Sequence, residues 1–282
     1  MPIFDTPAPI SATLDLVIGD VRVTAEDRID TVVEVRPSDT ASDNDVRAAE
    51  QTRVEFADGR LLVKAPRQRT LGLFGKPGSI EVTVLLPSGS QLRGNAEAAA
   101  FHASGRLGEC TVKTSVGNIQ LEHTGVLDVH TAGVITVGTV DGNAQVSTST
   151  GAIRVGEVAG TASIKNSNGD TQVGAVAGNV TVRAANGHIH VEHAGGDVTA
   201  TSSNGDIRIG AVTRGSVSMK TANGELEVGI PAGTAAYLDL HTAFGHMHNR
   251  LDATGEPADE AEKVEIHART SFGDIIVRRP TA

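Results

Sequence analysis

Two pairs of side chains in the C-terminal half of the sequence have the types and the spacing of metal ligands. Glu225 and Glu227 are separated by one residue, and so are His246 and His248. Residues i and i+2 of a β-strand project from the same face, so each pair would point to one side. Carboxylate oxygens and imidazole nitrogens both bind zinc. In a stack of coils we expect His246 and His248 to lie beside Glu225 and Glu227, so these four residues are candidate metal ligands.

The same pattern also has an electrostatic explanation. Acidic and basic side chains that alternate between neighbouring strands avoid like-charge repulsion without binding any ligand. A structural metal site also needs converging ligands that further hydrogen bonds hold in place, and the spacing alone does not supply them. We therefore predict no bound metal and no cofactor, and we keep the two pairs as the candidates for a metal site.

A segment in the N-terminal third combines basic and large apolar side chains, in a chain with only 2% aromatic residues. Its members are Arg67, Arg69, Leu73, Phe74 and Lys76. If exposed, such a cluster can dock to an anionic membrane surface or to a partner protein. The alternative is that Leu73 and Phe74 fold back onto the N-terminal part of the structure and are buried there.

Composition argues against several classes of function. The 282 residues include 24 basic and 34 acidic ones, which gives a net charge of −10, whereas nucleic-acid binding needs a concentrated basic surface. The single cysteine, Cys110, excludes an internal disulfide and a cysteine-based zinc cluster. No residues form the pattern of a catalytic site, and we predict that the protein is not an enzyme.

The elements that must position these side chains follow from an internal repeat of about eighteen residues. Self-similarity at a short fixed period indicates stacked units that contact only their neighbours. Within each unit, apolar residues at the second and fourth positions after a glycine flank a polar third position, which is the alternation of a half-buried strand. The clearest units begin at Asn168-Gly169, Asn186-Gly187, Asn204-Gly205 and Asn223-Gly224.

Two architectures fit short strands separated by glycine turns: an antiparallel meander and a parallel β-solenoid. Asn-Gly is a strong hairpin signal and favours the meander. Three observations favour the solenoid: no amphipathic helix could cover a large open sheet, a valine recurs at the seventh position, and Asn recurs in one column, where its amides could hydrogen-bond along the stack. Glycine at each corner would supply positive φ, so Gly187→Val or Gly205→Val should be strongly destabilising.

The fold class that we predict is therefore all-β, a single-stranded β-solenoid of the parallel β-helix type with coils of about eighteen residues. Three segments are expected along the chain. Residues 1–104 form an irregular β-rich N-terminal cap and the first coils, residues 105–250 form the regular coils, and residues 251–282 hold an acidic insertion and a C-terminal capping hairpin.

Several stretches together resemble the bacterial putative-adhesin family, also called the toastrack domain. They are Leu16-Val-Ile-Gly-Asp-Val-Arg-Val23, Leu85-Leu-Pro-Ser-Gly-Ser90, Leu107-Gly-Glu109 and the repeated Asn-Gly-Asp-Ile pattern. The resemblance covers nearly the whole chain. The resemblance implies a β-solenoid with no established enzymatic activity and no catalytic residues to carry over. It also implies relatives that act as assembly scaffolds near the cell envelope, some of them in stress responses.

The function predicted from these observations is that of a non-enzymatic scaffold that presents a repetitive β-solenoid surface to a protein partner. Peripheral membrane contact and self-association are compatible with it. One alternative is a polysaccharide-active β-helix enzyme, although the sequence offers few aromatic platforms for sugars; another is a self-assembling structural protein. Because residues 1–11 lack the basic and apolar regions of a signal peptide, we expect the protein in the cytoplasm.

Overall fold

The computed structural model describes residues 1–66, 77–251 and 262–280. It is an all-β parallel solenoid, as the repeat predicts, and it divides into two compact units, Met1–Gly138 and Thr139–Ala282. Strand β12 (Ile135–Val140) contains the division. In chain order the other elements of the first unit are β1 (Ile3–Asp5), β2 (Ser11–Asp15), β3 (Ile18–Glu26), β4 (Asp30–Pro37), α1 (Asp43–Glu50), β5 (Arg53–Ala57), β6 (Arg60–Lys64), β7 (Ser79–Pro87), β8 (Gln91–Arg106), β9 (Cys110–Val116), β10 (Ile119–Thr124) and β11 (Leu127–Thr131).

The first unit stacks its coils out of sequence order. Strand β2 pairs in parallel with both β6 and β8, and β3 pairs in parallel with both β7 and β8. The outer edges of β6 and β7 carry the antiparallel strands β5 and β4, and β1 adds to β4. Helix α1 packs beside β4 and β7, where the Asp45 Oδ1 atom accepts a hydrogen bond from the Ser79 N–H. These elements form the irregular N-terminal cap.

The second unit consists of two-stranded coils in which each strand pairs with the strand one coil away. Valines and isoleucines therefore stack in columns, as in the series Val155, Val173, Val191 and Ile209, all of which are buried. The elements are β13 (Ala144–Thr148), β14 (Ile153–Val158), β15 (Ala162–Asn168), β16 (Thr171–Val176), β17 (Val180–Asn186), β18 (Ile189–Ala194), β19 (Val198–Thr201), β20 (Ile207–Val212), β21 (Gly215–Asn223), β22 (Leu226–Gly229), β23 (Ala235–Phe244), β24 (Met247–Asn249), β25 (Lys263–Phe272) and β26 (Ile275–Arg278).

Ladder pairing is interrupted in the middle of strands β14 and β16, at a point that we call the bend. Ladder pairing in β14 and β16 skips Gly156 and Gly174, and the next inward side chains after the bend are Val158 and Val176. Both valines are buried. The recurring valine at the seventh position of the repeat thus belongs to the core, as its apolar character predicts.

A column of glycines forms the corner of each coil. Gly187 and Gly205 have φ of 130° and 144°, a region that L side chains rarely adopt. A Cβ atom built on Gly205 would lie 2.1 Å from the carbonyl oxygen of Gly187 in the preceding coil. The corner therefore requires glycine both for its backbone conformation and for the close approach of the coil below.

The asparagines that precede these glycines form a ladder of side-chain amides, which confirms the stacked-amide prediction. The Nδ2 group of Asn186 donates to Oδ1 of Asn168 at 2.9 Å, Asn204 donates to Asn186 at 3.0 Å, and Asn223 donates to Asn204 at 2.8 Å. Each amide satisfies the next one along the stack, so the ladder specifies the register of the coils.

Inside the corner, a second polar column satisfies the glycine carbonyl groups. Thr221 Oγ1 donates to the carbonyl of Gly205 at 3.1 Å. At the equivalent place in an earlier coil, Asn166 Nδ2 donates to Gly151 at 3.1 Å and also to Gly169 at 2.8 Å. The residue that pairs with Asn166 in the following coil is Ala184, which has no hydroxyl group. Asn166 therefore supplies the hydrogen bond that Ala184 cannot make.

A double-mutant cycle tests this compensation. Asn166→Thr is expected to reduce the free energy of unfolding by about 1 kcal/mol, because the Gly169 carbonyl loses its donor. Adding Ala184→Thr places a hydroxyl group near that carbonyl, so we expect the double variant to recover the loss. Chemical denaturation of both single variants and the double variant measures the coupling. Two single effects that simply add would contradict the assignment.

At the C-terminal end, the coil that comes last in the sequence is not the outermost one. Strand β25 pairs in parallel with β21 and β23, and β26 pairs in parallel with β22 and β24. The predicted C-terminal capping strands thus join the parallel stack and do not form an antiparallel hairpin. The coil of β23 and β24 lies outside them, and we call residues 235–249 the terminal coil.

The inward residues explain this order. Asn249 of the terminal coil occupies the column in which Val277 and Val228 are buried. An amide in that column would be desolvated inside the stack, whereas at its end the side chain is exposed. The coil with the more apolar inward face is therefore the internal one.

Candidate functional site

The terminal coil leaves part of the hydrophobic core uncovered. Leu238 and Leu240 stand in register with Ile266 and Ala268, which are fully buried. The two leucines are only half-buried because, in the described part of the chain, β23 pairs on one side alone. The end of the stack is therefore an edge strand beside an apolar surface.

Large apolar side chains are exposed in the same place. The rings of Phe244 and Phe272 stack with centroids 5.0 Å apart and an interplanar angle of 7°. They continue the column of the asparagine ladder, since Phe272 pairs with both Asn223 and Phe244. The exposed fractions are 65% for Tyr237, 67% for Phe244, 56% for Met247 and 54% for Phe272.

Sequence reasoning did not identify this aromatic pair, although a signal was present. Phe244 and Phe272 each precede a repeat glycine, the position that Asn186 and Asn204 occupy in the regular coils. Replacement of a ladder amide by an aromatic ring at two positions is a departure from the repeat in an aromatic-poor chain.

Contacts of histidine and arginine side chains with aspartate carboxylates attach the terminal coil to the coil below it. Asp239 Oδ2 lies 3.2 Å from His267 Nδ1 and 3.3 Å from Arg269 Nη2. The hydrogen bonds from His267 and Arg269 hold the pKa of the Asp239 carboxyl group below its usual value. The rings of His246 and His248 lie 3.7 and 3.6 Å from the carboxylate of Asp274.

The pKa of Asp274 is also lowered, first because its carboxylate accepts a hydrogen bond from the backbone N–H of His246. A carboxyl group whose pKa falls on folding favours the docked coil above its unfolded pKa. That contribution is lost as the pH falls through the lowered folded value.

The expectation that His246 and His248 lie beside Glu225 and Glu227 is wrong. Strand β26 separates the strands that carry the two pairs, and it places Asp274 and Ile276 between them. The reason is the reordering of the last coils, which the repeat does not encode. Within residues 1–66, 77–251 and 262–280, no group of three or more His, Cys, Asp or Glu side chains has the arrangement of a metal site.

The two glutamates have different surroundings. Glu227 is paired with Arg208 and with Arg278 of strand β26. The pKa of Glu225 is raised, first by desolvation and then by the neighbouring carboxylates of Asp206, Glu227 and Asp274. The pairing of Glu227 with two arginines agrees with the electrostatic explanation, whereas the neighbouring carboxylates of Asp206, Glu225 and Asp274 do not alternate with bases.

Cys110 is fully buried in β9, and burial raises the pKa of its thiol to about 12. The thiolate is the reactive form. We therefore expect iodoacetamide at pH 8 to modify native Cys110 more than about a hundredfold more slowly than the same residue in the denatured chain. Mass spectrometry of timed samples measures the rate, and Ser163→Cys, at an exposed strand position, is the reactive control. Equal rates in the native and denatured chain would contradict this assignment.

An open cleft of about 480 Å3 lies at the starts of β21, β23 and β25. Ala235, Ala236 and Tyr237 line one side of it, and Lys263 and Glu265 line another. The cleft therefore adjoins the exposed apolar surface and extends it. None of the described residues forms a helix long and apolar enough to span a membrane.

The predicted docking residues Arg67, Arg69, Leu73, Phe74 and Lys76 lie outside the described residues. Their role in membrane or partner docking stays a prediction.

Comparison with known proteins gives a match over most of the chain. The model of the family described as Toastrack DUF4097 matches residues 13–278. Similar solved structures include a putative adhesin from Bacteroides fragilis, 10% identical over 98% of this chain and 95% of that one, with a TM-score of 0.34. A putative adhesin from Parabacteroides merdae is 11% identical over 97% and 94%, with a TM-score of 0.45. A putative cell adhesion protein from Clostridium sporogenes is 11% identical over 99% and 98%, with a TM-score of 0.21. No curated protein matches the chain.

Proposed function

Because the chain belongs to the Toastrack DUF4097 family, we propose that it is a non-enzymatic interaction scaffold that binds a protein partner at its terminal coil. The family fold supports a surface or interaction role in general. The observation that carries the proposal is the concentration of exposed aromatic side chains, Tyr237, Phe244 and Phe272, at one end of the stack.

Exposed aromatic residues favour a protein partner. Aromatic side chains are enriched at the energetically dominant positions of protein interfaces, and monomeric soluble proteins rarely leave large contiguous apolar patches exposed. Within the described residues, strand β23 next to the patch pairs only with β25, so its other edge offers backbone donors and acceptors that a partner strand can use. The terminal coil therefore offers a partner both apolar contact and strand addition.

A comparison of captured proteins tests the proposal. The wild-type chain, immobilised and exposed to native extract, is expected to retain a partner that Phe244→Ser, Phe272→Ser loses. The matched control is Val116→Ser, Val126→Ser, which removes exposed apolar side chains from the first unit. Circular dichroism establishes that all three chains are folded. Equal capture by all three would contradict a binding role for the terminal coil.

The enzyme alternative predicts a different result. A polysaccharide-active protein would release reducing ends or unsaturated products from a panel of acidic and neutral polysaccharides. We expect no product above that of buffer, because sugar-binding clefts use aromatic platforms and this chain has 2% aromatic residues. Turnover of any member of the panel would overturn the non-enzymatic assignment.

The cellular setting of the scaffold is also part of the proposal. An envelope- or stress-associated role predicts that the partner is an envelope protein and that both are enriched under envelope stress. We propose that the chain itself is cytoplasmic, and fractionation with antibody detection tests this. If the chain is recovered outside the cytoplasmic fraction, the interaction takes place at the cell surface and not in the cytoplasm.

The Arg67–Lys76 segment gives this scaffold a second proposed contact, with membrane or partner. The wild-type chain is expected to co-sediment with liposomes that contain anionic lipids. The Leu73→Ser, Phe74→Ser variant is expected to stay in the supernatant. Neutral liposomes are the control. Equal sedimentation of both chains would show that these two residues do not contribute.

A further inference from the structure

We propose that the partner at the terminal coil is a second copy of this chain, and that the two copies pair their β23 strands antiparallel about a two-fold axis to form a closed dimer. This inference rests on the proposed function, because it names the occupant of the same surface. Three features of β23 support the dimer: its open hydrogen-bonding edge, its pattern of charged and polar residues, and its half-buried leucines.

The edge of β23 has free backbone groups over most of its length. The strand has ten residues, and within the described ranges it pairs only with β25. Ala235 N–H donates to the carbonyl of Glu262, on the β25 side. Backbone groups alternate in direction along a strand, so the N–H and C=O groups of Leu238 and Leu240 point away from β25. Long open edges of this kind template pairing with another chain.

The charge pattern selects one register for two identical strands. An antiparallel pair centred on Leu240 places Asp239 opposite His241 of the other copy, twice per dimer, and Leu238 opposite Thr242. An imidazole N–H can donate to a carboxylate, so Asp239 and His241 can form a hydrogen bond across the ladder. Centring the pair on Asp239 would instead place two carboxylates against each other. The strand is thus self-complementary in one of its two longest overlaps.

The same register continues the core. Leu240 would meet Leu240 of the second copy, in the column that contains buried Ala268 and Met219. The half-buried leucines of both copies would then lose their contact with water, which is the favourable term in association. A foreign strand could cover the leucines equally well, whereas a second copy of β23 also places His241 opposite Asp239 in the same register.

The edge strands of the first unit argue for a closed dimer and against a filament. In the first unit the outermost strands are β5, with five residues, and β1, with three. Arg53 and Glu55 form an ion pair along β5. Short, charged edges resist strand addition. Head-to-tail growth would need a second open edge, whereas an isologous contact uses the β23 edge alone and closes.

Two variants at one exposed residue test the pairing. Light scattering after size exclusion, over a range of concentrations, should show wild-type chain moving from monomer to dimer and no further. His241→Asp places two carboxylates together at each cross-strand pair, and we expect the dissociation constant to rise about tenfold or more. His241→Lys removes the same imidazole but retains the attraction to Asp239, so its dimer should be at least as tight as that of the wild type.

The following results would contradict the proposed β23 dimer. A wild-type chain that stays monomeric refutes the dimer, and equal dissociation constants for both variants refute the β23 register. Growth beyond the dimer refutes closure. If the wild type is monomeric and replacement of residues 252–261 by a Gly-Ser linker produces a dimer, that segment, not a second copy, occupies the edge. Thermal unfolding of each variant establishes that it is folded.

Failure of the dimer can be distinguished from failure of the proposed function. A monomeric wild type that still captures a protein lost by Phe244→Ser, Phe272→Ser leaves the scaffold proposal standing with a different partner. If the wild type neither dimerises nor captures a protein that the variant loses, the terminal coil is not a binding surface.

Discussion

Truncation after Glu262 is expected to destabilise the second unit by about 6 kcal/mol or more. The truncation removes the coil of β25 and β26, whose residues Val264, Ile266, Ile275 and Val277 are buried. Each such side chain contributes about 1.5–3 kcal/mol on burial. The terminal coil would also lose the strands on which it pairs. A loss of this size is comparable to the whole stability of many domains.

The matched control removes the terminal coil instead. Because the Ala235 N–H lies 2.8 Å from the carbonyl oxygen of Glu262, a short Gly-Ser linker can join Thr234 to Glu262 in place of residues 235–261. This variant loses no residue from the buried core of the described chain, so we expect a much smaller loss. Urea denaturation of both variants gives the comparison. A larger effect from the internal deletion would contradict the observed coil order.

Gly205→Val is expected to reduce the free energy of unfolding by about 3 kcal/mol or more, and Gly205→Ala by slightly less. The positive φ of 144° and the 2.1 Å approach of the Gly187 carbonyl both oppose a side chain. Because backbone atoms of the neighbouring coil make this contact, relief requires a shift of the whole stack. Gly187→Val should behave in the same way, since its Cβ would lie 2.2 Å from the carbonyl oxygen of Gly169.

Gly233→Ala separates the two costs. Gly233 has φ of 86°, but a Cβ atom there meets nothing within 4 Å. Its substitution therefore measures the backbone strain alone, which we expect to be about 1 kcal/mol. Thermal and chemical unfolding of Gly205→Ala and Gly233→Ala give the difference. Equal losses would mean that the glycine column is needed only for its conformation and not for close stacking.

The regular coils show how much of this fold the sequence predicts. The glycine period, the buried alternation of Ile153 and Val155, and the amide ladder from Asn168 to Asn223 all follow from local patterns. They are predictable because identical positions stack directly on each other, so each local preference is repeated along the whole column.

The candidate site was less predictable. The two predicted pairs of metal ligands depended on which coils are neighbours, and the sequence order suggested the wrong neighbours for His246 and His248. The aromatic pair Phe244 and Phe272 depended on the same fact, because the rings stack only when β23 lies beside β25. The repeat predicts the structure of each coil, but it does not predict which coils are neighbours in the stack.

The sequence by itself determined the coil: its length, its inward apolar columns, its glycine corners and its amide ladder. The tertiary structure alone decided the order of the coils at both ends, with β2 and β3 between later strands and the last coil between β22 and β24. The physical reason is that every coil offers nearly the same stacking surface, so the period cannot distinguish one neighbour from another. Burial distinguishes them, since a coil that carries Asn249 in a core column is tolerated only where that column meets water.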